Sequence, residues 1–587
     1  MLLMIVLIMY LCYDVSSKVL VVKVMSSVQV YKSGSYQYVR IIESYRVPGH
    51  KHPKVRVLQN LGRLDDLEAK EPGIVERLKK EHQQSRDAEQ AARQEYVLNN
   101  IRSVLEEGAT PSSEGFPLVN YGVNVYAKIW DELKLNYFFD YRQKKESRIS
   151  FKVKDITSLL VYSRLLDPCS KKRTFEHRNQ FLDLKGVEQE NIYRALPFLA
   201  DQKDNLEKHL NRQLGLKMDR NLSITFYDVT TYYFESVRAD ELKKFGYSKD
   251  NKVNQVQVVM GLLIDQHGIP ISYELFPGNT NDFTTLEPVM RRLKADYGIN
   301  KVIVTADRGL NSKKNLAFLK SLGYEYVMAY KIRSSSKVAK DLVLAEGDYT
   351  VVSKDYKWKV CDYSTRVDYD GDRVQLEDQM VITWSAKREA KDKRDRERLV
   401  NKSLRLVESK SAIKAEMKKG GKKYVQLTFL EDDQITFDQK KLEYDEQFDG
   451  YYGIQYSDAS LTPDQVVNIY HSLWKIEESF RVMKSDLEAR PIYVWTEASI
   501  RGHFVVCYLA LVIQRYLEHE LSEKGVALST ERIQAALGSA QVTVVEDAES
   551  QEEFYIKNRG NPDTELIMQA LELNSIPQYG WIKDLKR

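Results

Sequence analysis

The chain runs to 587 residues, 43% of them hydrophobic and 11% aromatic, which supplies at least one large core and length for several domains, and excludes a disordered protein. Its four cysteines, Cys12, Cys169, Cys361 and Cys507, lie far apart with no CxxC pair; this argues against a zinc site or a disulfide scaffold and for structural thiols in a reducing compartment. A formal net charge of +4 is too small to name a nucleic-acid partner, because such binding rests on local basic surface.

Residues 2–12 (LLMIVLIMYLC) are apolar but shorter than the roughly 20 residues of a membrane-spanning helix, and they lack the basic start of a signal peptide. Residues 1–24 are therefore expected to be an upstream extension of the reading frame, with Met25 as a second start and a cytoplasmic product without a membrane part. After Met25, SSVQVYKSGSYQYVRIIESYR alternates as strands do, and the charged LEAKEPGIVERLKKEHQQSRDAEQAARQEYV follows as a surface helix; residues 25–105 read as an N-terminal domain. Residues 106–217 carry apolar side chains at helical spacing in KIWDELKL, DITSLLVYSRLL and LEKHLNRQLGL, a mostly helical region.

From residue 221 the texture changes. NLSITFYDVTTYYFES, QVQVVMGLLID and ISYELF read as strands, the last two joined by a Gly/Pro turn. KVIVTAD is an apolar strand, RGLNSKKNLAFLKSLG a helix with Gly at its end, and YEYVMAY a further strand. Residues 218–335 are thus the first part of a mixed α/β core. Further strand-like runs (YTVVSKDYKWKV, DQMVITW, YVQLTFL, GYYGIQYS) make residues 336–457 a β-rich insertion. Within it, residues 387–423 hold 15 Lys/Arg against 6 Asp/Glu, which a solvated helix laced with i,i+4 ion pairs explains as well as a binding surface does. Residues 458–520 complete the core, and 521–587 form a C-terminal region.

Three carboxylates stand out. Asp228 lies within a strand among aromatic and β-branched residues, a poor place for an uncompensated charge. Asp307 ends an apolar strand, where α/β sheets form ligand sites. Either one alone is equally well read as a cap or turn residue. Thr462-Pro463-Asp464-Gln465 is a capping-box helix start, and the spacing predicts one helix through VVNIYHSLWKIEESFRVMKSDL. On it Tyr470, Leu473, Glu477, Phe480 and Lys484 share a stripe, and Leu473, Ile476, Phe480, Met483 and Leu487 form the apolar face. An ordinary Glu477–Arg481 pair is the plain alternative, but it needs no neighbouring Tyr, Trp and Lys. Three converging carboxylates repel unless cations lie between them, and Mg²⁺ favours such hard oxygen ligands. Two ions about 4 Å apart activate a water or a 3′-hydroxyl on one side of a phosphodiester and stabilise the leaving oxygen on the other.

These residues resemble a known family. Tyr470-xx-Leu473-Trp474-x-Ile476-Glu477-xx-Phe480-Arg481-xx-Lys484 is similar to the YREK signature of DDE transposases from bacterial insertion sequences, in the insertion sequence family 4 superfamily and its 1634-like group. YDVTTYYFES and VTADRGLNSKKNL resemble the segments of the first and second catalytic aspartates. GYSKDNKVNQVQVVMGLLIDQHGIPISYELFPGNTNDFTT and SYRVPGHKHPKVRVLQNLGRLDDL extend the likeness from about Met25 to the helix after Glu477. The resemblance implies an RNase H-like catalytic core with the β-rich insertion between Asp307 and Glu477. It makes Asp228, Asp307 and Glu477 the catalytic triad, holding two Mg²⁺ ions that Mn²⁺ can replace, and it gives Tyr470 and Lys484 as DNA phosphate contacts. The signature Arg is Leu473 here, so Arg481 is the candidate substitute, and Trp384 is the inserted-domain candidate beside a flipped base, against a plain core Trp. The expected partners are double-stranded DNA, as terminal inverted repeats and as target, and a second copy of the chain on that DNA, in the nucleoid of a bacterium or archaeon. Residues 106–217 are then either a DNA-end-binding domain or a structural bundle.

Two other readings stand beside this one. A domesticated DNA-binding protein of the same fold would do no chemistry, although loss of a carboxylate is its usual sign. A glycosidase using Asp228 and Glu477 leaves the basic insertion and Lys484 unexplained.

Overall fold

The computed structural model describes residues 22–46, 54–106, 117–145, 149–218, 220, 222–246, 254–297, 302–307, 309–408, 425–428, 434–546 and 552–585. The chain divides into two compact units: residues 1–117 with 543–557 and 577–585, and residues 118–542 with 558–576 and 586–587. The expectation about residues 1–24 falls almost wholly outside the described residues, as does the end of the basic stretch, 409–423.

The first unit is built on an antiparallel sheet of three strands in sequence order, β1 (Val22–Ser33), β2 (Tyr36–Arg46) and β3 (Lys54–Arg63). β1 begins before Met25. Gly34, at φ +63°, makes the tight β1–β2 turn that an L side chain resists. A 33-residue helix, α1 (Ile74–Glu106), follows. Its sequence is polar almost throughout, and it is anchored where Val97 and Ile101 pack with Phe554 and Trp581. Tyr96 stacks on Trp581 at 5.8 Å, and Arg93 pairs with Asp584 at 3.1 Å. Two C-terminal segments therefore complete the N-terminal unit, a long-range arrangement that the local patterning of 25–105 and 521–587 does not encode.

The second unit starts with helices, among them α2 (Val153–Leu166) and α3 (Gln189–Asp201). Its centre is a nine-stranded sheet. In chain order the strands are β4 (Ile224–Tyr233), β5 (Gln257–Asp265), β6 (Pro270–Pro277), β7 (Ile303–Ala306), β8 (Glu325–Tyr330), β9 (Thr350–Ser353), β10 (Tyr356–Tyr369), β11 (Asp372–Ser385) and β12 (Tyr451–Tyr456). Their order in the sheet is β6-β5-β4-β7-β8-β12-β11-β10-β9. β4, β5 and β6 pair antiparallel; β7 runs parallel to β4, and β8 parallel to β7. Strands β9 to β12, from the stretch read as an insertion, extend this same sheet through the antiparallel β12–β8 pair. Helices α4 (Leu286–Tyr297) and α5 (Lys313–Ser321) provide the crossovers into β7 and β8.

Alternation along the strands sorts the two faces. Tyr227 and Val229 of β4, with Val304 and Ala306 of β7, enter one core with Leu286 and Met290 of α4 and Leu316 and Phe318 of α5. Asp228, Thr230, Tyr232 and Asp307 fall by the same alternation on the opposite face. That face meets α6 (Pro463–His471), α7 (Trp474–Arg481) and α8 (Glu497–Glu523): Val466 packs with Val327, Val381 and Ile454, and Tyr232 meets Phe504 edge-on at 5.1 Å. α8 is buried along most of its length, from Ile500 to Leu517, and crosses α3 so closely that a Cβ on Gly502 would lie 2.1 Å from the Leu196 carbonyl oxygen. No described helix is long and apolar enough to cross a membrane.

Candidate active site

The two aspartates come together through strand register. Tyr227 of β4 lies opposite Ala306 of the parallel β7. One step further along both strands stand Asp228 and Asp307, on neighbouring backbones about 5 Å apart, at the carboxyl end of β7 and on one face of the sheet. Asp228 and Asp307 are both half-buried. The loop after Asp307 is pinned by its own polar groups: Leu310 N–H donates to the Asp307 carbonyl at 3.0 Å, Asn315 Nδ2 to the Leu310 carbonyl at 2.9 Å, and Asn311 Nδ2 to Ala329 of β8 at 2.9 Å. Ser312 caps α5 by accepting from Asn315 N–H.

Thr462 and Gln465 form the expected capping box, with Pro463 opening α6. The expected single helix, however, is interrupted. At Tyr470–Ile476 the backbone tightens to i→i+3 bonds, Leu473 N to Tyr470 O at 3.0 Å and Ile476 N to Leu473 O at 3.1 Å, and the Ser472 hydroxyl donates back to Asn468 O at 3.0 Å, a bond that bends helices. α7 then gives way to a π turn, Val482–Asp486. Leu473, Ile476, Phe480, Met483 and Leu487 are all buried, and Glu477 is exposed. The change of winding re-aims the residues after Phe480, which the even spacing of the sequence could not signal.

Lys484 lies in the π turn, a winding that often marks functional positions. Its Nζ donates to Thr230 Oγ1 at 2.6 Å and lies 5.5 Å from the Tyr232 ring. Thr230 and Tyr232 follow Asp228 at two-residue steps, so the lysine reaches over the Asp228 face of β4. The turn is held from behind. Leu487 N–H bonds to Val482 O at 2.8 Å and Ala489 N–H to Met483 O at 2.9 Å. Arg164 of α2 donates to the Leu487 and Glu488 carbonyls at 3.1 and 2.9 Å, and His503 Nε2 to the Ala489 carbonyl at 3.0 Å. The other His503 nitrogen meets Lys171 Nζ at 2.6 Å in a fully buried pair. Burial, reinforced by the Arg164 charge, pushes Lys171 down to about 7; burial, then Lys171 and Arg164, holds His503 well below its ordinary value.

Tyr470 links the carboxylates electrostatically. Its hydroxyl lies 2.5 Å from that of Tyr452 on β12. Burial raises its phenol far above the usual range, with Tyr452 and then the Asp307 and Glu477 charges adding to the shift. The helix glutamate and the strand aspartate are thus felt at one side chain. Among the described residues, no group of three His, Cys, Asp or Glu side chains is gathered as metal ligands are; Asp228 and Asp307 are neighbours through the β4–β7 register, and Glu477 stands exposed on α7. The donor set itself, all carboxylate oxygen, has the chemistry of a hard divalent cation site.

Two further expected residues stand differently. Arg481 is exposed and turns to Glu478 at 3.7 Å and Asp486 at 3.2 Å. Trp384 shares the alternation of Met380 and Ile382, which pack in the core opposite the aspartates; it lies against Gly450, whose Cβ would come 2.6 Å from Nε1. The sheet order sets β11 four strands from β4, so the structure does not bring Trp384 to the carboxylates.

Other neighbours escaped the reading of the sequence. A carboxylate oxygen of Asp282 would lie 4.0 Å from a Cβ on Gly309, and burial foremost, then the charges of Asp228 and Asp282, raise the Tyr227 phenol. The sequence mark of Asp282 is GNTNDFTT, a polar turn directly after β6. Thr230 and Tyr452, the partners of Lys484 and Tyr470, carry no local mark at all.

The family model for the transposase DDE domain matches residues 220–513, and the model for the N-terminal domain of IS1634 family transposases matches residues 25–95. No curated protein matches the sequence. Among solved structures, a piggyBac transposase synaptic complex with hairpin DNA is similar at 9% identity and a TM-score of 0.34, over 66% of this chain and 71% of that one. A Mos1 transposase paired-end complex with left transposon end follows at 16% identity and a TM-score of 0.14, over 30% and 58%. Likenesses this weak decide nothing about the fold. The first family model spans half of the chain and contains Asp228, Asp307 and Glu477, while the second covers nearly all of the N-terminal sheet and most of α1, and on these matches the chain belongs to the DDE transposases, in the IS1634 group.

Proposed function

We propose that this transposase cuts and joins DNA by the cut-and-paste route, with Asp228, Asp307 and Glu477 as its catalytic carboxylates and an RNase H-like core beneath them. The observation that carries this reading is the register of β4 and β7, which sets Asp228 beside Asp307 on the face that meets α7. The order of β4 to β8, three antiparallel strands followed by two parallel ones, supports the RNase H-like assignment.

Two Mg²⁺ or Mn²⁺ ions held by the three carboxylates would supply an activated water or 3′-hydroxyl and a stabilised leaving oxygen at the phosphodiester. The chain's own residues do the rest. Lys484, fixed over β4 by Thr230, offers an ammonium to a phosphate next to the cut, and Tyr470 offers a hydroxyl from the other side of Glu477. Arg481 provides a further exposed cation on the same surface. Each element end needs one copy of the site, so the working form is a dimer on duplex DNA carrying the terminal repeats, at the nucleoid.

The test is cleavage of a labelled duplex carrying the element's terminal repeat with and without Mg²⁺, in parallel with Glu477→Gln. Cutting at the element boundary that needs Mg²⁺ and vanishes in the variant is expected, followed by joining to target DNA. Binding without cutting would leave a DNA-binding protein of this fold, and equal cutting by both proteins would remove Glu477 from the triad.

A further inference from the structure

Strand direction carries the edge of the sheet at Asp307 across to the insertion. β8 runs parallel to β7, β12 antiparallel to β8, and β11 antiparallel to β12. β11 therefore points the same way as β7, and the helix Ala386–Glu408 that follows it starts at the edge where β7 ends in Asp307. β12 stands two strands from β7, about 10 Å away. Its Tyr452 joins Tyr470 in the cluster around Val466 and Ile454, on the carboxylate face.

Arg388 stands in the first turn of that helix. Its guanidinium lies 4.3 Å over the Tyr452 ring, and the Tyr452 hydroxyl meets that of Tyr470 at 2.5 Å. Among the described residues the guanidinium makes no hydrogen bond. Nε is buried without a partner, and the Asp392 carboxylate stays at 3.8 Å while accepting from Gly450 N–H at 3.2 Å. Neighbouring arginines that hold this region together are bonded: Arg396 to Glu446 at 2.6 Å and Arg333 to Asp449 at 2.7 Å. Stacking thus fixes the plane of Arg388 and leaves its donors unspent, on a side chain that is 38% exposed.

We propose that Arg388 is a further substrate contact of this active site, giving its guanidinium to a phosphate of the strand that is cut. The idea rests on the transposase reading above. Leu473, where the signature carries its Arg, is only 6% exposed, and Arg481 turns to Glu478 and Asp486, so neither brings a guanidinium to Tyr470. Arg388 does so from another element. A guanidinium laid flat on an aromatic ring keeps its edge N–H groups for two oxygens at once, which is the geometry of a phosphate. The distance of two strands from β7 suits a phosphate beside the cut, not the one that reacts. Lys387, Lys391 and Arg394, exposed and spaced by four and three along the same helix, continue the positive charge for the same backbone. Stacking for structure alone does not require a guanidinium whose hydrogen bonds are left unmade, a costly state for a partly buried group.

The experiment uses the full chain and a fluorescein-labelled duplex spanning the terminal repeat and the element boundary. Affinity is measured over a salt series in EDTA, and single-turnover cutting in Mg²⁺. Arg388→Met keeps an apolar stem over Tyr452 and removes the charge; it is expected to lower the slope of log K against log salt by about one and to slow cutting about tenfold or more. Arg388→Lys is expected to keep the slope and recover only part of the rate, because an ammonium lacks the fork. Arg291→Met is the control: on α4, across the sheet, its guanidinium lies 5.1 Å over Phe318 but is bonded to Glu287 at 2.7 Å, and it should match the wild type in both measurements. A wild-type slope in Arg388→Met overturns the proposal; joined to a slower rate and a lower unfolding midpoint, it would make Arg388 a support for Tyr452 and nothing more. An equal fall in slope for Arg291→Met also overturns it, by reducing Arg388 to general surface charge. The two ideas fail separately: if the wild type does not cut, the catalytic reading falls while the slope still decides this one, and wild-type cutting that Arg388→Met matches in rate and slope sinks this proposal alone.

Discussion

Lys484 and Thr230 offer a quantitative check on how the lysine acts. Lys484→Ala removes an ammonium that bonds Thr230 Oγ1 at 2.6 Å over the Asp228 face. If its work is a charge-assisted bond to a DNA phosphate, the loss is about 1.5–3 kcal/mol, or about 10- to 150-fold in single-turnover cutting. The slope of log K against log salt should also fall by about one. Thr230→Val keeps the shape of the side chain and removes only the acceptor that steadies the ammonium; Thr230 is 5% exposed and is not placed to meet DNA itself. Its expected cost is about 1 kcal/mol, roughly fivefold. Because the hydroxyl acts through the lysine, the double variant should cut no more slowly than Lys484→Ala alone, giving a coupling energy of about 1 kcal/mol in the cycle. Strictly additive losses would refute that dependence, and an unchanged salt slope in Lys484→Ala would refute the phosphate contact.

Tyr470→Phe should slow cutting by several-fold while Tyr452→Phe, which leaves the Tyr470 hydroxyl in place, has the smaller effect; the reverse order in a cleavage assay would assign the role to Tyr452. Lys171 predicts a pH dependence of stability. Folding lowers it from 10.5 to about 7, so between those values the unfolded chain binds a proton that the folded chain does not, and stability rises with pH by about 1.4 kcal/mol per unit through that window. His503 acts in the same sense at lower pH, and Arg164, Cys169 and Cys507 are the other charged or titratable groups acting on the lysine. Thermal midpoints between pH 7 and 9 should climb in the wild type and flatten in Lys171→Met; parallel curves would count against the buried pair. Gly502→Ala forces a Cβ to 2.1 Å from the Leu196 carbonyl oxygen, backbone against backbone, and should cost about 3 kcal/mol or more in denaturant unfolding, whereas Gly186→Ala, with open space around it, should stay within about 0.5 kcal/mol.

Local pattern carried much of this protein. Short apolar runs rich in β-branched and aromatic residues specify β4 to β8, because a strand covered on both faces, as β5 is along its whole length, must be apolar nearly throughout whatever it pairs with. Thr462, Pro463 and Gln465 specify a helix start, since capping is settled within four residues. The signature on Tyr470, Glu477 and Lys484 and the strand-end Asp307 were therefore legible as candidates. Tertiary structure alone decided which of them meet. The parallel register of β4 and β7 places Asp228 beside Asp307, and it depends on the α4 crossover and the shared core, not on either strand's own residues. The i→i+3 step at Ser472 and the π turn at Lys484 arise where buried side chains and the Arg164 and His503 clamps outweigh regular winding. The same holds for Trp384, whose face follows from a sheet that β9 to β12 extend, and for Asp282, brought near Gly309 by a turn with no distinctive spacing. Segments 543–557 and 577–585 complete the first unit only because Phe554 and Trp581 find an apolar patch on α1. Residues hundreds of positions apart in the chain settle such pairings by burying surface together, and no local periodicity records that choice.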